Sequence, residues 1–316
     1  MTASAVVFGY SEVGVRCLQV LLSAGVDVRL VVTHEDDPNE HRWYGSVAEV
    51  ARDYAVPCIT PPDARDPALL RRLHGLAPDF IFSFYYRSLL GDELLGCARR
   101  AALNMHGSLL PKYRGRAPLN WAILHGETET GATLHHMVAR ADAGDIVDQQ
   151  AVPILLDDDA RIVFGKITVA AEMVLVRSLP RLIDGTAAAR AQPILEGQYF
   201  GRRRPEDGRI DWGWPAKRMH DLVRAVAPPY PGAFATVAGE RWGIHRTRLL
   251  VPHDAHLPAG RAPRLVERDG RCIVECSDGR DLQLLAAADA RGALDLAALA
   301  RRLAAAPLAL APGLAR

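Results

Sequence analysis

The stretch Ala5-Val6-Val7-Phe8-Gly9-Tyr10-Ser11-Glu12-Val13-Gly14, continued by an apolar-periodic segment to Ala24, Gly25 and then Val28-Arg29-Leu30-Val31-Val32-Thr33, decides the fold class. Ala5 to Tyr10 is a short, largely apolar run of the kind buried on both faces of a sheet. Ser11 stands where it can cap a helix, and Gly25 is placed to end it. Val28 to Thr33 reads as a second strand. A strand, a helix and a strand in about thirty residues open an α/β protein with a parallel sheet. The same stretch argues against a dinucleotide site. A G-x-G-x-x-G turn needs its middle glycine for close approach to a pyrophosphate, and Tyr10 and Ser11 narrow that approach here.

Further along, Ser46-Val47-Ala48-Glu49 has the form of a capping box, and Asp66-Pro67 caps a helix that runs to about His74. Asp79 to Phe84, Ala101 to His106, Thr133 to Val138 and Ile146 to Val152 read as strands. Ala117 to Leu124 reads as a helix, and the apolar periodicity of residues 160–183 predicts a long helix packed on the sheet. The pattern weakens from Gly185, and the charged run Gly201 to Gly208 looks like a connector. A helix near Ala216 to Val226 and short strands at Ala233 to Val237, Arg271 to Cys276 and Asp281 to Leu285 predict a small, mainly β second domain. An alanine-rich end predicts one short helix and a loose tail. The expected boundary lies between residues 1–203 and 204–316.

The 316 residues carry 38 Lys plus Arg against 37 Asp plus Glu, a formal charge of +1, which argues against a protein that coats nucleic acid. Five scattered cysteines make a poor disulfide framework. With no signal segment at the start and no bilayer-spanning run, a cytoplasmic protein without membrane insertion is expected.

The chemistry concentrates in Asn104-Met105-His106-Gly107-Ser108-Leu109-Leu110-Pro111-Lys112-Tyr113-Arg114-Gly115-Arg116. Asn104 and His106 are two apart, so on a strand they share a face. A second polar turn, Arg140-Ala141-Asp142-Ala143-Gly144-Asp145, lies between two predicted strands. Where the two meet, an amide, an imidazole and a carboxylate converge. That set suits acyl transfer to an amine, which needs a base for the amine proton and a donor for the developing oxyanion. A carboxylate beside a histidine favours its charged form. No serine or cysteine nucleophile is needed when the acyl donor is already activated, and no G-x-S-x-G is present.

Each residue alone also fits a plainer role. His106 suits a hydrogen-bonded core histidine, Asn104 a backbone cap, and Asp142 an Asx-turn ahead of Gly144. Arg114 and Arg116 suit a solvated loop. His135 and His136, as strand neighbours, face opposite sides and make no metal pair, with core or surface the default for both. No metal is expected, since no His, Asp, Glu and Cys group has ligand spacing.

The segments from His106 to Trp121, Gly126 to Val138 and Arg140 to Ile146 resemble the 10-formyltetrahydrofolate-dependent formyltransferases. Trp43 to Val47, Phe82 to Arg87, Phe200 to Arg203 and Val223 to Val226 add matching stretches, and the resemblance covers about residues 5 to 285. Within that family the chain most nearly resembles the UDP-4-amino-4-deoxy-L-arabinose formyltransferase domain of the bifunctional polymyxin-resistance proteins. The resemblance implies a Rossmann-like N-terminal domain and a smaller OB-like, mainly β C-terminal domain. It aligns Asn104 with the asparagine that stabilises the transition state, His106 with the proton-transferring histidine, and Asp142 with the aspartate that sets that histidine's basicity. Ser88, Leu89, Leu90, Arg116, Val138, Ala139, Arg140, Ala141 and Asp142 align with positions that contact the folate.

The implied co-substrate is 10-formyltetrahydrofolate, and the implied acceptor is a UDP-amino sugar formylated for lipid A modification and cationic-peptide resistance. The chain stops at Arg316, so the decarboxylase of that pathway, like its aminotransferase, is expected on a separate chain. A homo-oligomer is compatible with the sequence. Methionyl-tRNA formyltransferases share the core but carry a basic loop after the second strand. Here His34-Glu35-Asp36-Asp37-Pro38-Asn39-Glu40-His41 brings four carboxylates, which repel an RNA backbone. Formylation of another nucleotide-linked amino sugar, the methionyl-tRNA activity, and a folate- or nucleotide-binding module without catalysis are the alternatives. Arg202, Arg203 and Arg204 are candidate diphosphate or uracil partners or linker surface.

Overall fold

The computed structural model describes residues 2–36, 42–193, 199–250, 260 and 262–311. The chain forms two compact units. The first takes Met1–Pro118, Glu129–Pro153 and Phe164–Gly201, and the second takes Leu119–Thr128, Ile154–Val163 and Arg202–Arg316.

The first unit begins with β1 (Ser4–Gly9), α1 (Ser11–Ser23), β2 (Asp27–Val32), α2 (Val47–Asp53), β3 (Cys58–Ile59) and α3 (Pro67–Leu76). It continues through β4 (Phe80–Phe84), α4 (Asp92–Leu95), β5 (Ala101–His106) and β6 (Arg114–Gly115). After α5 (Pro118–Leu124), which falls almost wholly in the second unit, come β7 (Glu129–His136), β8 (Ile146–Pro153), α6 (Ala160–Asp184) and β9 (Tyr199–Phe200). Among the described residues the main sheet has the order β3-β2-β1-β4-β5-β7-β8. The strands from β3 to β5 pair in parallel, whereas β7 runs antiparallel to both β5 and β8. The order reverses between β1 and β4. In open α/β sheets that reversal leaves a crevice at the carboxyl ends of the strands.

Every residue of β1 and β4 is buried, as a strand covered on both faces requires. On one face Val6, Phe8, Leu30, Val32 and Ile81 form a core with Leu69 and Leu73 of α3, Leu94 of α4 and Cys97. Asp66 starts α3 by accepting from the Ala68 N–H at 2.8 Å, with Pro67 in the first turn. The Ser46 hydroxyl accepts from the Glu49 N–H at 3.3 Å to start α2. Gly25, at φ 74°, follows α1 in the left-handed conformation that its sequence position suggests.

The first loop corrects one expectation. Ser11 does not cap α1. Tyr10 holds the N-cap position in extended conformation without a capping bond from its side chain, and Ser11 is the first helical residue, at φ 63°. Gly14 has a packing reason: a Cβ there would meet Val47 Cγ2 at 2.9 Å and the Gly9 carbonyl carbon at 3.2 Å. The helix therefore approaches its strand as closely as it does because residue 14 has no side chain. A second correction concerns β7, which spans Glu129–His136 rather than Thr133 to Val138. Gly131 sits inside this strand because a Cβ there would run into the Gln150 carbonyl of β8. Val138 lies beyond the strand, in the turn that carries Asp142.

The second unit holds a 3₁₀ turn at Pro205–Gly208, α7 (Ala216–Ala225), β10 (Ala233–Val237), β11 (Glu240–Leu250), β12 (Arg264–Arg268) and β13 (Arg271–Glu275). It ends with β14 (Asp281–Asp289), β15 (Gly292–Ala293), α8 (Leu296–Ala305) and β16 (Leu308–Ala309). Among the described residues its antiparallel sheet has the order β10-β11-β14-β13-β12-β16, with β15 beside β14. The unit is mainly β, as the sequence suggests. Leu308 and Ala309 pair with β12 instead of forming part of a loose tail, and residues 312–316 lie outside the described residues.

The five cysteines are free thiols. Burial pushes the Cys17 thiol up, and burial together with Glu267 pushes Cys272 up to about 11, so neither is an activated nucleophile. Among the described residues no helix is long and apolar enough to cross a membrane.

Candidate active site

Strand β5 places Asn104 and His106 on one face, and the antiparallel register with β7 sets Asn104 opposite His135 and His106 opposite Thr133. Four side chains thereby share one surface of the sheet. The turn after β7 brings in Asp142, whose φ of 54° is left-handed. That turn is clamped from residues 185–193, where the sequence pattern is weak. The Gln192 carboxamide Nε2 donates to the carbonyl oxygens of Asp142 at 3.1 Å and Gly144 at 2.5 Å. Gly144 has to be glycine, since a Cβ there would strike the His136 carbonyl.

The result is a compact polar cluster. Asp142 Oδ1 lies 3.6 Å from His106 Nδ1 and 3.6 Å from His135 Nε2, while the Gly115 N–H donates to Oδ2 at 2.9 Å. The Asn104 Nδ2 amide is 3.1 Å from His135 Nε2 and 3.5 Å from Asp142 Oδ1. His106 Nε2 lies 2.9 Å from the Tyr113 carbonyl oxygen, an acceptor, so that nitrogen carries a proton. Burial alone would raise the Asp142 carboxyl. The facing His106, the neighbouring His135 and the Gly115 N–H outweigh it and hold the group well below the usual carboxylate range. Asp142 is therefore an anion across the whole physiological pH range. Among the described residues no group of three or more His, Cys, Asp and Glu is arranged to hold a metal ion.

The residues aligned with folate contacts all belong to the first unit. Arg116 follows Gly115 and is exposed, and its guanidinium donates to the Arg87 carbonyl at 3.3 Å, next to Ser88. Ser88 is exposed and Leu89 is 72% exposed, whereas Leu90 packs against the core cluster. Val138, Ala139 and Arg140 are exposed, and Ala141 is half-buried. Arg114 is fully buried, which removes the solvated-loop alternative for it. Arg203 belongs to the second unit, where its guanidinium lies 4.8 Å over the Trp121 ring and donates to the Asp207 carbonyl. In the acidic stretch after β2, residues 37–41 lie outside the described residues.

The loop from Gly107 to Tyr113 is tied down by Thr133. The Thr133 hydroxyl donates to the Ser108 carbonyl at 2.6 Å and accepts from the Leu110 N–H at 3.1 Å and Gln149 Nε2 at 2.9 Å. Thr133→Val keeps the shape and takes this partner from the buried Ser108 carbonyl and Leu110 N–H, while Gln149 Nε2 keeps its bond to the Leu110 carbonyl. The expected cost is about 2–3 kcal/mol, read as a lower urea midpoint at unchanged slope.

Two family models cover most of the chain. "Formyl transferase" matches residues 5–179, and "Formyl transferase, C-terminal domain" matches residues 203–302. The chain belongs to the formyl transferase family. Solved structures show the same fold in this formyltransferase. An N-formyltransferase from Helicobacter canadensis, in complex with folinic acid and dTDP-3-aminofucose, is 20% identical with a TM-score of 0.70, over 90% of this chain and 99% of that one. WlaRD, a sugar 3N-formyl transferase solved in the presence of dTDP and 5-N-formyl-THF, is 20% identical with a TM-score of 0.69, over 93% and 99%. A 4-N formyltransferase from Francisella tularensis is 19% identical with a TM-score of 0.61, over 76% and 95%.

Proposed function

We propose that this formyltransferase moves the formyl group of 10-formyltetrahydrofolate to the amino group of a nucleotide-linked sugar, and specifically to the 4-amino group of UDP-4-amino-4-deoxy-L-arabinose. The observation that carries the chemistry is the convergence of Asn104, His106 and an ionised Asp142 at one point of the sheet. The nucleotide-sugar class is supported by the ligands named for the Helicobacter canadensis and WlaRD structures. The choice of the arabinose compound rests on the sequence motifs.

In the proposed reaction the neutral amine attacks the formyl carbon. An N–C bond forms, the carbonyl electron pair moves onto oxygen, and an Asn104 N–H stabilises that oxyanion. Collapse of the tetrahedral intermediate breaks the bond from the formyl carbon to N10. His106 takes the proton from the attacking nitrogen and returns one to N10, with the Asp142 charge facing its ring throughout. His106 Nε2 is held by Tyr113, so Nδ1, with its longer 3.6 Å contact, is the nitrogen freer to exchange a proton with substrate. The exposed apolar side chains Leu89 and Val138, with exposed Arg116 and Arg140, suit a ligand that has a flat ring system and an anionic tail. Ser88, Leu90 and the backbone from Ala139 to Asp142 complete the proposed folate contacts.

The deciding experiment incubates the protein with 10-formyltetrahydrofolate and a panel of acceptors, read by mass spectrometry. The panel is UDP-4-amino-4-deoxy-L-arabinose, two dTDP-4-amino sugars and charged initiator methionyl-tRNA. A mass gain of one CO unit confined to the UDP sugar is the expected result. A gain on a dTDP sugar alone keeps the chemistry and removes the arabinose assignment. Folate binding with no gain on any acceptor removes the proposed nucleotide-sugar activity.

A further inference from the structure

We propose that His135 is a positioning residue for formyl transfer, fixing which way round the Asn104 carboxamide faces. The proposal rests on the oxyanion role of Asn104 given above. His135 is 1% exposed and stands directly across from Asn104 in the β5–β7 register. Its Nδ1 lies 2.8 Å from the His136 carbonyl oxygen. A carbonyl oxygen only accepts, so the proton of the neutral ring sits on Nδ1 and Nε2 is bare. Nε2 lies 3.1 Å from the Asn104 amide, so it accepts an amide N–H.

The histidine tautomer thus determines the asparagine orientation. Nδ2 faces the buried cluster, and Oδ1 is excluded from that position, because two lone pairs would otherwise meet. One Asn104 N–H is spent on His135. The other has Asp142 Oδ1 as its acceptor at 3.5 Å, too long for a strong bond, so it is the donor left for the developing oxyanion. Without the His135 acceptor only the long contact to Asp142 still favours this orientation of the carboxamide. Half a turn brings Oδ1, a lone-pair carrier, to the position where negative charge accumulates.

The two isosteric choices at position 135 separate this role from packing. In His135→Gln the terminal oxygen reaches the place of Nε2 and still accepts from Asn104. In His135→Asn the side chain reaches only the place of Nδ1, and the acceptor is lost. Expected results are a fall in kcat of about tenfold or more for His135→Asn, with KM for the folate within about twofold, and recovery to within about threefold of wild type for His135→Gln. The pH–rate profile of His135→Gln keeps both limbs of the wild-type profile, since an orienting group takes no proton from substrate. In the Asn104→Ala background, His135→Asn causes no further loss.

Equal activity of the two variants, a loss that tracks Tm, or a missing limb in the Gln profile overturns the proposal. Nitrogen-15 NMR of wild-type protein gives a test independent of any variant's folding: a proton on Nε2 of neutral His135 also overturns it. Near-normal turnover of Asn104→Ala instead defeats the oxyanion role itself, and a large loss there with full activity in His135→Asn defeats only the positioning role.

Discussion

His106→Ala lowers turnover at least ~100-fold while leaving the fold intact. The size follows from what the imidazole does. The amine has to lose a proton as the N–C bond forms, and N10 of the folate has to gain one before it leaves. A single group with access to both serves both steps, and His106 Nδ1, facing Asp142 with Nε2 anchored on Tyr113, is placed for that exchange. Alanine removes the carrier and leaves the Asn104 amide, so residual turnover reflects positioning and oxyanion binding. The lost side chain is buried, yet its polar partners are a backbone carbonyl and a carboxylate at the site, and the surrounding sheet pairs through its backbone. Steady-state kinetics with the accepted amino sugar, beside a Tm measurement, check the outcome. Turnover within about tenfold of wild type removes His106 from the proton-transfer role.

The legible parts of the molecule were those set by short-range pattern. Apolar runs marked β1 and β4, because parallel strands covered on both faces carry little else. Asn104 and His106 could be placed on one face from their spacing alone. Backbone geometry and strand register were hidden. The left-handed φ of Ser11 and the close approach of the Gln150 carbonyl to Gly131 leave no mark on the short-range pattern. Strands β11 and β12 are interspersed with charged residues, so no apolar run announced them. At the site, strand alternation separated His135 from His136, but only the β5–β7 register shows that His135 faces Asn104. Gln192 lies in an irregular stretch without periodicity, and nothing in its sequence context points to the Asp142 turn. The family resemblance supplied the expected role of Asp142. The structure adds that its backbone and both its oxygens are held by partners from three other segments.

Asp142→Asn separates the carboxylate charge from the turn it sits in. The amide keeps the volume, and its oxygen still accepts from Gly115, whereas Asp142→Ala also strips the half-buried Gly115 N–H of this partner. Both variants are expected to lose at least ~100-fold in kcat, because His106 then faces no negative charge as it takes up a proton. Both variants lose the stability that the charge contributes at neutral pH, and the alanine variant, which also loses the Gly115 bond, shows the larger fall in Tm.

The same substitution changes the acid stability of the fold in a predictable direction. In the folded chain the Asp142 carboxyl is held far below its unfolded value by His106, His135 and Gly115, despite burial. A group depressed in this way stabilises the fold fully above its unfolded pKa of about 4, and that contribution is lost as pH falls below it towards the folded value. Wild-type unfolding free energy therefore drops on acidification below about pH 4 by an amount that Asp142→Asn lacks. Urea titrations of both proteins between neutral and strongly acid pH check this. Parallel stability curves through the acid range would mean that the carboxyl titrates alike in the folded and unfolded chains. His106 would then face no buried anion, and the large kinetic effect expected of Asp142→Asn would lose its physical basis.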